Sequence, residues 1–192
     1  MNEWLPKNLL KRNALIELSR ELEGELLFDD LSRIIYSTDA SAYKEFPLAV
    51  VYPRHSDDLK KIVSFANTHL ISLIPRTAGT SLAGQVVGNG IVVDVSRYLN
   101  HILELNVDER WVRVEPGVIR DELNLFLAEH GLFFAPETST SNRAMIGGMI
   151  GNNSCGATSL RYGSTREHVL ALTTILSDGS EEVFSILAPG ES

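Results

Sequence analysis

The stretch Pro75-Arg76-Thr77-Ala78-Gly79-Thr80-Ser81-Leu82-Ala83-Gly84 most narrows what this chain can fold into. It lies between two apolar runs, Ile71 to Ile74 and Ile91 to Val95. Such a pattern predicts strand, small-residue loop, strand, in which bare backbone N–H groups can approach an anion. A second small-residue loop runs from Ser139 to Gly156. Together the two loops imply a chain that grips a large phosphate-bearing cofactor from two sides.

In the first loop, Gly79 and Gly84 permit a left-handed backbone. Thr77, Thr80 and Ser81 offer hydroxyls and Arg76 offers charge. The glycine spacing matches a Walker loop, but Gln85 and Val86 replace its Lys and Ser/Thr, which disfavours ATP hydrolysis of that kind. No G-x-G-x-x-G occurs, which argues against a Rossmann dinucleotide site. Taken alone, the loop could equally be a turn serving topology. The second loop weighs against that. Ser139 or Ser141 is expected to cap a short helix from about Asn142. Gly147, Gly148 and Gly151 remove side chains where a flat ring or diphosphate could lie, and Asn152, Asn153 and Ser154 add uncharged donors. Each interior glycine costs roughly 0.5–1 kcal/mol relative to alanine, so two such loops are expensive as decoration.

The 192 residues suffice for one domain or two small lobes, and 44% hydrophobic content suffices for a core. Net charge is -8 without a Lys/Arg block, which excludes a nucleic-acid footprint. The single cysteine, Cys155, precludes an intrachain disulfide and a multi-thiolate zinc site. It is expected to be a small buried residue. Met1 to Gly24 lacks the apolar core of a signal peptide. No run approaches the roughly 20 apolar residues that span a bilayer. A cytoplasmic location is the default, with attachment to the inner membrane face left open. The histidines His101, His130 and His168 lack metal-ligand spacing, and His55 is expected at the surface. No carboxylates form an acid/base pair at fixed spacing, so no catalytic residue is assigned.

Periodicity predicts a helix over 9–22, a strand over 47–52, a helix capped by Ser56, and strands over 71–74 and 91–95. The apolar face of the second helix is read as Leu59, Ile62, Val63, Ala66 and Leu70. This is a βαβ unit plus a strand. Strands over 101–106 and 110–115, a helix over 117–130 stopped by Gly131, and a hairpin turning at Asp178-Gly179 follow. The fold class is α+β: a small βαβ lobe and a mainly antiparallel lobe with helices.

These residues resemble the FAD-binding domain of the vanillyl-alcohol oxidase type, the PCMH-type flavin fold. The resemblance rests on Pro75 to Gly84, Asp94-Val95, Glu115-Pro116-Gly117, Pro136 to Gly156 with Ile146-Gly147-Gly148, and Arg161-Tyr162-Gly163. It is closest to the D-lactate, glycolate and D-2-hydroxyglutarate dehydrogenase branch. Ser139-Thr140-Ser141-Asn142-Arg143 with Gly147 to Gly156 is especially similar to long bacterial members that carry an iron–sulfur module. The resemblance implies a helical segment over 1–38 and a flavin domain over 39–192, with lobes over about 39–96 and 97–192.

It further implies that Arg76, Thr77, Ala78, Gly79, Thr80, Ser81 and Leu82 wrap the diphosphate. Ser139, Ser141, Ala144, Gly147, Gly148, Gly151 and Asn152 would line the other side. The implied reaction moves a hydride from a small 2-hydroxy acid to FAD, then electrons to an acceptor that could be the iron–sulfur module. FAD is expected to be non-covalent: the first loop has no His, and Cys155 follows the Gly147-Gly148 pair. Leu187 to Ser192 reads as a cut inside a domain, so the chain is expected to be an N-terminal fragment, inactive alone. Two other readings stay open: an enolpyruvyl-sugar reductase of the same fold, and a non-catalytic module for a phosphorylated ligand or a partner protein.

Overall fold

A computed structural model describes residues 7–186. The expectation drawn from Leu187 to Ser192 falls outside them. The first lobe contains α1 (Lys7–Glu21), β1 (Glu25–Leu27), α2 (Asp30–Ile35), β2 (Ala49–Tyr52), α3 (Ser56–His69), β3 (Leu73–Arg76) and β4 (Ile91–Asp94). The strands form one sheet in the order β1-β2-β4-β3. Strands β2, β4 and β3 are parallel, and β1 closes one edge antiparallel to β2.

The uninterrupted Ile91-Val92-Val93 and Ala49-Val50-Val51 runs explain this centre. A strand covered on both faces needs no polar alternation, and all six residues are buried. Helix α3 lays Ile62 on the sheet and buries Ala66, α1 adds Leu15 and Leu18, and Leu22 follows just past its end. Removing each large apolar side chain from water stabilises the fold by about 1.5–3 kcal/mol.

The βαβ unit β2–α3–β3 is present, but β4 lies between its strands. Three other expectations change. The N-cap of α3 is His55, whose Nδ1 accepts the Asp58 N–H at 3.4 Å, rather than Ser56. That role leaves His55 half-buried. Leu70 leaves the apolar face: it is the left-handed C-cap, with φ 52°, and is 93% exposed. Phe65 packs on the core in its place. Strand β1 and helix α2 were not anticipated. Each is too short to show a period; α2 starts because Asp29 accepts the Ser32 N–H at 3.0 Å.

The second lobe begins with the antiparallel pair β5 (Ile102–Asn106) and β6 (Trp111–Val114). Then come α4 (Arg120–Ala128), α5 (Ile146–Gly151), α6 (Ser159–Tyr162), a 3-10 turn (Thr165–His168), and the hairpin β7 (Ala171–Ile175) and β8 (Glu181–Ser185). Its core is Val118, Leu123, Leu127, Ala144, Ile146 and Met149. The hairpin turns at Gly179, with φ 87°. It rests on the first lobe through Lys60 and Glu181, 2.7 Å apart, and an Asn67 bond to the Ser177 carbonyl. The architecture is α+β. No described helix is long and apolar enough to cross a membrane.

Candidate functional site

The first loop leaves the end of β3 and returns to the start of β4. Gly79 and Gly84 turn it, with φ of 66° and 69°. A side chain at either would be strained: a Cβ would sit 2.7 Å from Arg76 Nη2 at Gly79 and 2.6 Å from the Tyr43 ring at Gly84. Arg76 braces the loop from beneath. Its Nη1 donates to the Thr38 carbonyl at 2.9 Å and the Val86 carbonyl at 3.4 Å, and its Cζ lies 4.9 Å from the Tyr36 ring centre. Among the described residues Arg76 has no carboxylate partner within ion-pair distance.

None of the backbone N–H groups from Thr77 to Leu82 donates to the protein among the described residues. A run of unpaired donors is uncommon in a folded chain. Leu82 is largely exposed. Ser81 Oγ donates to Gln85 Oε1, and Gln85 Nε2 donates to Asn152 Oδ1 at 3.1 Å. That bond reaches the second loop. A second contact lies between Thr77 and Gly148, where an added Cβ would fall 2.5 Å from Thr77 Oγ1. The two loops, 67 residues apart at the Gln85–Asn152 bond, therefore meet directly.

The second loop departs from expectation locally. Its helix begins at Ile146, after Met145, with no side-chain cap. Thr138 to Arg143 instead forms turns held by main-chain bonds, such as Ser141 N–H to the Thr138 carbonyl at 3.1 Å. Ser139 and Ser141 thus do not cap a helix at Asn142. The Ser141 carbonyl accepts the Asp121 N–H at 3.3 Å, so this turn is tied to α4. Ala144 is buried in the second core. Gly147 packs on Pro116: its N–H donates to the Pro116 carbonyl at 2.8 Å, and a Cβ would sit 2.5 Å from Pro116 Cβ. Gly151 differs, because a Cβ there would meet nothing within 4 Å. Asn153 Oδ1 accepts from Ser164 Oγ and the Arg166 N–H, both at 2.9 Å, so it braces the 3-10 turn.

Of the residues singled out from sequence, Arg76 to Leu82, Gly148 and Asn152 share one region. Ser141, Ala144 and Gly147 have partners elsewhere, and Ser139 lies in the turn that precedes them. Cys155 is exposed rather than buried. Among the described residues no group of three His, Cys, Asp or Glu could hold a metal ion. His101 pairs with Glu115 at 2.7 Å, and His168 Nε2 meets the Tyr162 carbonyl at 2.7 Å.

Sequence reasoning missed Gln85, visible only as a departure from a Walker loop. It also missed the group beneath the loop. Tyr36 donates to Asp94 Oδ2 at 2.5 Å and accepts from the Tyr52 hydroxyl at 3.0 Å. Burial, then the hydrogen bond to Asp94, pushes the Tyr36 hydroxyl well above the ordinary phenol range, so it stays a donor. Asp39 holds an oxygen, Oδ2, that is buried without a donor. Its neighbour Ala40 donates to the Gly79 carbonyl at 3.1 Å.

A pair of backbone-lined loops joined across two α+β lobes defines a domain of the class that clasps a phosphate-bearing ligand. Residues 47–185 match the family model described as FAD binding domain, and the chain belongs to that family; FAD is its cofactor. The chain is 48% identical over 163 residues to D-2-hydroxyglutarate dehydrogenase of Haemophilus influenzae, covering 83% of this chain and 16% of that protein. It is 34% identical over 163 residues to glycolate oxidase subunit GlcD of Bacillus subtilis, covering 83% of this chain and 35% of that subunit. The chain thus spans about a sixth of the first relative's length. Its fold is that of alkyldihydroxyacetonephosphate synthase, with TM-score 0.81, 20% identity, and coverage of 94% of this chain and 36% of that one. It is likewise that of p-cresol methylhydroxylase, with TM-score 0.80, 17% identity and the same two coverages, 94% and 36%.

Proposed function

We propose that the whole protein is an FAD-dependent dehydrogenase of 2-hydroxy acids, with D-2-hydroxyglutarate the first substrate to test, and that this chain supplies its non-covalent FAD site. The observation that carries the reading is the meeting of the two loops, beside which successive backbone donors stand unpaired. The residues fit the cofactor. Unpaired N–H groups and an Arg76 lacking an acidic partner suit a diphosphate. The empty space at Gly151 suits a flat ring or its chain, and the donorless Asp39 oxygen suits a hydroxyl-bearing ligand. Bound there, FAD would supply the hydride acceptor for oxidising the carbon that bears the substrate hydroxyl.

The chain's own residues bind and orient. Thr77 to Leu82 offer their N–H groups to the phosphates. Gly148, Gly151 and Asn152 form the opposite wall, and the Gln85–Asn152 bond sets the gap between the walls. Of the other residues of the sequence-based site, Ser141, Ala144 and Gly147 shape that wall by anchoring it to α4 and Pro116, and Ser139 sits in the turn leading into it. No catalytic residue is assigned to this chain. Onward transfer to an iron–sulfur module of the same polypeptide belongs to the proposal, and the relatives' greater length leaves room for one.

Two experiments test the reading. In the full polypeptide, anaerobic D-2-hydroxyglutarate should bleach the flavin band, with D-lactate and glycolate as comparison substrates. Bleaching by none of them removes the hydroxyacid assignment. Acid precipitation should leave all yellow colour in the supernatant; colour in the pellet would mean covalent attachment.

Gly151→Leu is expected to weaken FAD at least tenfold while leaving the apoprotein's Tm unchanged or slightly higher. The added side chain meets no protein atom at its Cβ, and leucine favours a helix over glycine by about 0.8 kcal/mol. Unchanged FAD affinity would place the cofactor elsewhere.

A further inference from the structure

Beneath the first loop lies a stack that none of the flavin reading requires. The β3–β4 register sets Arg76 opposite Asp94. A direct ion pair would be the simple outcome, yet the two do not form one. The Tyr36 ring takes both partners instead. Asp94, 5% exposed, receives the Tyr36 hydroxyl on Oδ2 and the Ser96 N–H on Oδ1 at 2.8 Å. The Arg76 guanidinium lies over the ring face. A phenol donating to a carboxylate has a more electron-rich ring, and such a face attracts a guanidinium more strongly. The ring is itself fixed by Tyr52, edge-on at 6.1 Å and bonded through its hydroxyl.

Held there, Arg76 spends Nη1 on the carbonyls of Thr38 and Val86, tying the chain before β2 to the loop's exit. Its Nη2 edge fills the space that Gly79 leaves open. The guanidinium thus sets the curvature of the stretch with the unpaired N–H groups.

We propose that Tyr36 is a positioning residue for cofactor loading: it acts through Arg76, which it orients so that Arg76 braces the first loop in its ligand-ready shape. This rests on the flavin reading and deepens it. The loop is the part that meets the diphosphate, so the effect should fall equally on any ligand that carries one.

The test is made on the full polypeptide freed of flavin. FAD affinity is read by fluorescence quenching and ADP affinity by competition, with apoprotein Tm alongside. Tyr36→Leu is expected to weaken FAD and ADP alike by tenfold or more. Tyr36→Phe, which keeps the ring, should lose threefold at most. Arg76→Lys loses the flat guanidinium that stacks on the Tyr36 ring and the Nη2 edge beside Gly79, and should resemble Tyr36→Leu. Adding Tyr36→Leu to Arg76→Lys should cost less than a further twofold, because both remove the same brace.

Multiplying losses in the double variant, or wild-type affinity in Tyr36→Leu, would overturn the proposal. So would a Tyr36→Phe as damaging as Tyr36→Leu. Should Tyr36→Leu not fold, Tyr36→Met, which also removes the ring, takes its place alone and with Arg76→Lys and is judged by the same criterion. A wild-type protein that binds neither FAD nor ADP overturns the flavin reading itself, and this inference with it.

Discussion

Replacing Asp58 by alanine is expected to lower stability by about 4 kcal/mol, enough to remove most of the margin of an ordinary domain. The carboxylate is fully buried and accepts three backbone N–H groups: Glu23 at 3.0 Å, Gly24 at 2.9 Å and Arg54 at 3.0 Å. It joins the end of α1 and the approach to β1 to the segment between β2 and α3. Each buried donor left without an acceptor costs about 1–3 kcal/mol. Urea unfolding of the variant measures the loss; a loss below 1 kcal/mol would mean that water replaces the carboxylate.

The same group gives a pH signature. Burial pushes the Asp58 carboxyl up, but the three N–H donors and His55 outweigh it, and the net shift is downward. Its contribution is therefore complete above the unfolded value of about 3.9 and is lost as pH falls through the lower folded value. Asp58→Asn should flatten stability against pH in that acid window and leave the slope above pH 5 unchanged.

Gly147→Ala is the second large effect, and it falls on the site. The new Cβ would lie 2.5 Å from Pro116 Cβ and 3.0 Å from the Pro116 carbonyl oxygen. A proline ring cannot rotate away, and the 2.8 Å bond from Gly147 N–H to Pro116 forbids retreat without loss. Helix α5 must therefore shift, carrying Gly148, Gly151 and Asn152 with it. Overpacking of this kind costs about 1–3 kcal/mol. FAD retention should fall at least tenfold in equilibrium dialysis. Gly148→Ala is the control: its new Cβ would face the Thr77 side chain, crowding Oγ1, which can rotate aside, so a smaller loss is expected. Equal losses in the two variants would contradict the packing argument.

The contrast between these glycines marks what sequence could reveal. Both were legible as positions without side chains. Which one abuts a fixed ring and which a rotatable hydroxyl depends on where Pro116 and Thr77 fall, and no local pattern carries that. The α+β class and most elements were legible because Ile91 to Val93 and the α3 face have clear periods. Leu70 misled because its apolar character fits the period one step past the helix end, where the chain has already turned left-handed. Ser139 and Ser141 have the chemistry of caps, but their turn is recruited by α4. Arg76 is legible as a charge suited to a phosphate, but its bracing bonds are not. Its bonds to Thr38 and Val86 come from residues 38 and 10 positions away, and Tyr36 lies farther still, so the brace appears only in three dimensions.

The sheet order carries a consequence for how this domain can change. Strands β3 and β4 are adjacent and parallel, so the chain between Arg76 and Ile91 has to travel back along the whole strand before it can begin again. A parallel pair needs a connection of about a dozen residues or more. Here that return path carries no helix; the small-residue loop fills it. Shortening the loop to abolish ligand capture would therefore rob the sheet of its edge strand. Point changes that leave its contour length intact are the open route by which a descendant could lose the coenzyme and keep its shape.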